Sequence, residues 1–191
     1  MIPLPDGPFS VIYADPPWSY ENKKTGGSMS SGASQKYDTL PLEAIKGIIN
    51  GVPTTRDAVL FMWVTVPLLP EAFEVLNGTR FHYKTMLSWR KIMSMGTGFW
   101  FRGQMEHLIL GVKGNVKAFR LQEPNFFQSQ VQEHSRKPDY YYGLIERATA
   151  NMPHVTRIEL FARRRRAGWA SWGNQLSEEE PLLQTTIQEL I

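Results

Sequence analysis

The sequence predicts an α/β fold: a mostly parallel central sheet with helices on both faces. Three observations carry this. Residues 9–15 (FSVIYAD) and 58–64 (AVLFMWV) are short, unbroken apolar runs of strand length. Strands buried on both faces read this way, whereas a half-exposed sheet alternates apolar and polar residues. Segments of helical periodicity fall between such runs, the βαβ pattern of a sheet wrapped by helices. The chain has 191 residues, 42% hydrophobic and 20% charged, which suits one domain with a substantial core.

The elements follow in order. Strand 9–15 ends in an acid and is stopped by Pro16 and Pro17. Residues 22–36 (NKKTGGSMSSGASQK) hold almost nothing apolar and read as a long polar loop, either functional or simply disordered. Residues 41–49 form a short amphipathic helix with Leu42, Ile45 and Ile49 on one face. A second buried strand covers 58–64. A helix covers 67–77 and ends at Asn77-Gly78. Strands at 84–91 and 106–112 flank the glycine-rich stretch 96–103. A helix over 138–149 opens on a proline, and a last strand covers 157–162. Residues 1–176 are expected to form one domain, and 177–191 a tail or helix.

Composition excludes several classes. The chain has no cysteine, so disulfides, thiolate metal sites and thiol catalysis are absent. No apolar run reaches the 18 or more residues of a membrane span, and the N-terminus lacks a signal-like pattern, so a soluble cytoplasmic protein is expected. No G-x-G-x-x-G follows an early strand and no G-K-[ST] occurs, which argues against dinucleotide redox chemistry and nucleotide hydrolysis. Four histidines without helpful neighbours argue against a metal, and Glu106, beside His107, reads as a structural or hydrogen-bonding residue. The net charge of +3 permits a nucleic-acid partner without requiring one.

The sharpest feature is Asp15-Pro16-Pro17-Trp18, placed where ligands bind in open α/β sheets, at the carboxyl end of a strand. Two prolines fix two φ angles and remove two donors. What remains is a rigid, acceptor-only corner: a carboxylate and a carbonyl. Such a corner suits an exocyclic amine, whose lone pair is delocalised into a base and whose two N–H groups need acceptors. Trp18 is placed to stack on that base, which must then leave its own stack. The alternative is a proline-rich turn with a buried tryptophan.

In order with E-H-L-I-L-G-V-K-G (106–114), H-S-R-K-P-D (134–139), I-E-L-F (158–161) and W-G-N-Q (172–175), the D-P-P-W tetrapeptide resembles the MT-A70 family. The likeness runs from about residue 9 to residue 176. It implies a Rossmann-like methyltransferase sandwich with permuted motif order, the catalytic acid early and most of the cofactor site late. It implies methyl transfer from S-adenosylmethionine to N6 of adenine in nucleic acid. Asp15, Pro16, Pro17 and Trp18 match the catalytic motif, with Asp15 also beside the cofactor. Lys137 matches the lysine that pairs with the cofactor's carboxylate; by itself it would read as a solvated surface residue. Ser135, Glu159, Phe161, Arg163, Asn174 and Gln175 match further cofactor positions. His134 is either part of that wall or a cap. Arg164 and Arg165 depart from the family pattern, which expects a His-Asn pair there.

Three features bear on the substrate. Arg163, Arg164, Arg165 and Arg166 are consecutive. The last three suit phosphate binding, since guanidinium forks match phosphate oxygens, and the alternative is a solvated charge run. Lys36 and Tyr37 close the polar loop and are placed to touch nucleic acid and flank the base. Met93, Met95, Phe99, Trp100 and Phe101 suit a target-recognition surface or an oligomer contact. The compact catalytic unit resembles bacterial or phage enzymes acting on DNA more than RNA, as monomer or homodimer. Two other readings are a cytosine N4-methyltransferase, whose motif is usually S-P-P-[YW], and a degenerate nucleic-acid-binding partner that would have lost Asp15 or Asn174-Gln175.

Overall fold

The computed structural model describes residues 2–19, 39–92, 100–131 and 136–176. Seven strands form one sheet in the order β5-β3-β4-β2-β1-β6-β7. They are β1 (Phe9–Ala14), β2 (Thr54–Thr65), β3 (His82–Ile92), β4 (Met105–Lys113), β5 (Phe126–Gln130), β6 (Arg157–Leu160) and β7 (Ala170–Trp172). Among the described residues three helices flank it: α1 (Leu42–Gly51), α2 (Leu69–Asn77) and α3 (Tyr140–Thr149). A single 3-10 turn, Val66–Leu68, leads into α2.

The sheet is mostly parallel, as expected. Strand β1 pairs in parallel with β2 and β6, β6 with β7, and β3 with β5. Only β4 is reversed, antiparallel to both β2 and β3. It follows β3 without a crossover helix among the described residues, and a hairpin return needs none. One edge of the sheet therefore collects the carboxyl ends of six strands and the amino end of β4.

Each residue of β1 is buried, which explains its apolar sequence, and the one polar side chain, Ser10, is hydrogen-bonded to Thr156. Alternation sends Ile12 and Ala14 to one face and Val11 and Tyr13 to the other. Helices α1 and α2 cover the first face with Ile45, Ile48, Ile49, Ala72, Val75 and Leu76. Helix α3 covers the second with Tyr141, Tyr142, Leu144 and Ile145. Pro41 and Pro70 sit at helix starts, where a missing N–H costs nothing. The motif glycine Gly114 has φ +74°, and a Cβ there would lie 2.2 Å from the Asp57 carboxylate, so only glycine fits.

Two strands have no signature in the sequence. Edge strand β5 is polar and alternates exposed and half-buried residues. Strand β7 has three residues. The strand expected over 157–162 ends at Leu160, because Phe161 turns to φ +62°. The tail 177–191 lies outside the described residues.

Candidate active site

Asp15 follows the last residue of β1, between β2 and β6, whose preceding helices α1 and α3 lie on opposite faces. This is the switch point at which open α/β sheets bind ligands. The next turn is held by its own backbone. The Trp18 N–H donates to the Pro16 carbonyl at 2.9 Å, and the Leu40 N–H donates to the Pro17 carbonyl at 2.9 Å. Both proline carbonyls thus already accept one bond and keep one lone pair each for the acceptor role expected of a carbonyl at this corner.

The expectation that Trp18 stacks on a base is corrected. Its indole is 7% exposed, packs in the α1/α2 core and donates its N–H to the Trp63 carbonyl at 2.9 Å. A ring used on both counts offers no face to a base. It anchors the corner instead.

The Asp15 carboxylate is half-buried. Its Oδ2 accepts a hydrogen bond from Lys137 Nζ at 2.7 Å. The lysine, expected at the cofactor's carboxylate, is here the partner of the acid itself. It stands just ahead of α3, 5.5 Å over the Trp63 ring, and its ammonium also lies 3.3 Å from Glu106 Oε2. Glu106 Oε1 in turn pairs with Lys91. Four charges of alternating sign thus line up across the edge: Asp15, Lys137, Glu106, Lys91. The register explains the convergence. Glu106, the second residue of β4, lies directly opposite Thr65 at the end of β2 and Trp89 near the end of β3.

The ionisation states follow from the pairing. Burial alone would push the Lys137 ammonium down, but the Asp15 and Glu106 carboxylates outweigh it and hold its pKa above the usual range. Burial alone would push Glu106 up, but Lys137 and Lys91 outweigh it and hold the carboxyl below the usual range. Glu106, read from the sequence as a structural or hydrogen-bonding residue, is part of the charged site, and Lys91 has no signal of its own in the sequence. The signal available was an acid opening an apolar strand, which needs a partner.

The late motif residues meet Asp15 through the sheet. Strand β6 pairs Tyr13 with Glu159 and Ala14 with Leu160. Glu159 accepts a hydrogen bond from the Tyr142 hydroxyl at 2.7 Å. Burial pushes its carboxyl up to about 7, against the opposing effects of that hydrogen bond and of Arg166. Phe161 holds a left-handed backbone that bulky residues rarely adopt, a strain of about 1–3 kcal/mol that collects at functional sites. The W-G-N-Q motif explains itself locally. A Cβ on Gly173 would lie 2.5 Å from the Ala162 carbonyl, so glycine lets β7 close against the end of β6. Asn174 and Gln175 follow in an exposed turn at the same edge.

The arginine run leaves β6 there too. Arg163, Arg164 and Arg165 are exposed and Arg166 is half-buried. Arg166 and Arg164 approach the Asp139 carboxylate at 2.5 and 3.6 Å, and Arg136 pairs with it from the other side. Arg164 and Arg166 are thus gathered on an acid and are not a bare charge run. Lys36, Tyr37, His134, Ser135, Met93, Met95 and Phe99 lie outside the described residues. Trp100 and Phe101 are 89% and 90% exposed at the tip between β3 and β4. Among the described residues no helix is long and apolar enough to cross a membrane, and no group of three metal-ligating side chains occurs.

The chain is similar to known proteins over most of its length. It is 34% identical over 180 residues to an "N(6)-adenosine-methyltransferase MT-A70-like" protein of Arabidopsis thaliana, covering 90% of this chain and 24% of that one. It is 30% identical to the human "N(6)-adenosine-methyltransferase catalytic subunit METTL3", covering 89% and 28%. The chain thus spans about a quarter of the length of these relatives. It is 31% identical over 194 residues to the "Type II methyltransferase M.MunI" of Mycoplasma sp., covering 93% of this chain and 82% of that one. The MT-A70 family model matches residues 9–175, from the start of β1 through Gln175. With acid, lysine and amide pair brought to one edge by a mostly parallel sheet, the chain belongs to the MT-A70 family.

Proposed function

We propose that this chain transfers a methyl group from S-adenosylmethionine to N6 of adenine in nucleic acid, with DNA favoured over RNA. The observation that carries the reading is the rigid Asp15 corner at the switch point. Asp15 uses Oδ2 on Lys137, and among the described residues Oδ1 takes no hydrogen bond. That oxygen is the acceptor for an N–H of the target amine. An accepted N–H lowers the cost of withdrawing the nitrogen lone pair from the ring. The two prolines fix the corner in advance, so little reorganisation is needed at the reacting centre.

The donor set fits the cofactor. Lys137 has three N–H donors; Asp15 and Glu106 engage two, which leaves one for a carboxylate. Glu159 and the Asn174-Gln175 amides suit ribose hydroxyls and an adenine edge. The Ser171 hydroxyl, beside Glu159 in the β6–β7 register, is buried without a hydrogen-bond partner among the described residues and needs one. When bound, S-adenosylmethionine supplies an electrophilic methyl group on a sulfonium. DNA is favoured because, of the three relatives named above, M.MunI is matched over most of both lengths.

The test is nucleoside mass spectrometry after incubation with isotope-labelled cofactor and either DNA or RNA. Labelled N6-methyladenine from DNA is expected. N4-methylcytosine, or no labelled nucleoside from either polymer, overturns the reading. Lys137→Ala and Asn174→Ala are each expected to weaken S-adenosylhomocysteine binding by roughly 10-fold or more, the value of a lost charge-assisted hydrogen bond. Calorimetry measures it, and unchanged affinity in both variants moves the cofactor elsewhere.

A further inference from the structure

We propose that Asp139 gathers Arg136, Arg164 and Arg166 into a clamp for one backbone phosphate beside the target nucleotide; this rests on the nucleic-acid reading above. The three guanidinium groups come from two segments, one ahead of α3 and one after β6. All three converge on a single carboxylate. Three positive charges against one negative leave +2 at the cluster. A phosphodiester carries one negative charge and two free oxygens, which guanidinium forks match.

Three further observations favour an anion over plain solvation. Asp139 occupies the N-cap of α3, a position where aspartate commonly bonds the helix N–H groups, yet its side chain makes no capping bond. It is committed to the arginines instead. The Arg136 Nε–H is buried and meets no acceptor among the described residues. The Arg166 guanidinium lies 3.8 Å from the Tyr142 ring centre, which holds it over α3 rather than free in solvent. The cluster is also next to the acid. Asp139 is two residues from Lys137, at most about 7 Å along the chain, and Lys137 touches Asp15.

Asp139→Asn separates this proposal from a charged surface patch by the sign of its effect. Removing an acid from a bare patch raises the positive potential and tightens nucleic-acid binding. Removing the organiser of a clamp weakens it. Binding to fluorescent DNA and RNA 30-mers without cofactor is expected to fall 5–10-fold, with S-adenosylhomocysteine affinity within twofold of the wild type. Tighter or unchanged binding overturns the clamp, and so does a matching loss of cofactor affinity.

The double variant Arg136→Ala/Arg164→Ala is the second measurement, since both side chains are exposed enough to leave the core alone. Its log–log salt slope is expected to flatten by about 0.7 on single strands or about 0.9 on duplex, the signature of one phosphate. No change, or a change twice as large, overturns a single-phosphate clamp. A wild-type chain that methylates nucleic acid while Asp139→Asn binds normally overturns the clamp alone. A wild type that neither binds nor methylates either polymer overturns both readings.

Discussion

The two faces of the sheet are built from different chemistry. The face under α1 and α2 is mainly aliphatic, with Ile12, Ile45, Ile49, Leu60, Met62, Val75 and Leu76 fully buried. The face under α3 is aromatic: Tyr13, Trp63, Trp89, Tyr141, Tyr142 and Trp169. Aliphatic side chains contribute burial and nothing else. Aromatic ones add polar tips that need partners when buried. Trp63 donates to the Tyr13 hydroxyl at 2.6 Å, Tyr142 donates to Glu159 at 2.7 Å, and Trp169 donates to Glu146 at 2.7 Å. Trp63 also lies under the Lys137 ammonium. One face therefore holds the sheet together, while the other fixes the orientation of the charged groups at its edge. Substitutions on the first should cost stability, and those at the edge should cost activity.

The largest effect expected is at the edge. Asp15→Asn keeps the shape and removes the charge. Turnover should fall at least about 1,000-fold, or roughly 4 kcal/mol of transition-state stabilisation, while S-adenosylhomocysteine binding stays measurable. More than a tenth of wild-type turnover would remove Asp15 from its role.

The complementary change is Leu76→Ala. Its side chain packs on Gly111 of β4 in the aliphatic core. Truncation should cost about 3 kcal/mol, within the range for buried leucines, and lower Tm by roughly 6–12 °C in a chain of this size. Turnover per folded molecule should hold at a temperature where the variant remains folded. A tenfold loss of turnover there would break the division between the faces.

The same division governs what was legible in the sequence. Strands β1 and β2 announce themselves because burial on both faces makes their centres apolar, Val11–Ala14 and Ala58–Val64. The helices are equally plain, since their periodicity is local. Strand β5 is not, because a polar edge strand owes its existence to pairing with β3, which no local pattern records. The site divides similarly. Asp15 stands out by its two prolines, and the glycine of W-G-N-Q by the close approach it permits. The Lys137–Asp15 contact joins residues 122 positions apart and depends on the path of α3. Lys91 and Glu106 become partners only because β4 runs antiparallel to β3. Trp18 misleads because an aromatic beside a catalytic acid reads as a stacking platform, when the core beneath the corner takes the ring. The arginine run misleads less: the need for a counter-charge is plain from four adjacent guanidinium groups, but its source, Asp139, lies in another segment.

The smallest effect expected tests the boundary between face and edge through Glu159. The carboxylate faces Tyr142 from α3, Tyr13 from β1, Asp15 just after it, and Arg164 and Arg166 from the loop after β6. Burial dominates and lifts its pKa to about 7 from the ordinary 4.5. The folded protein therefore keeps a proton there that the unfolded chain releases earlier. As pH rises from about 4.5 to about 7, the unfolded state loses its proton first, so stability falls across that window and levels off above it. Glu159→Gln keeps an oxygen for the Tyr142 hydroxyl and cannot ionise. Below pH 4.5 the variant should match the wild type. At pH 8 it should be more stable by about 2 kcal/mol, a value reduced from the full shift because the side chain is only partly buried. That corresponds to a Tm higher by roughly 4–8 °C. Thermal unfolding of both proteins at pH 4.5 and pH 8, without ligand, measures the difference. A gap that does not widen with pH would mean that Glu159 is ionised throughout and belongs with the solvated edge.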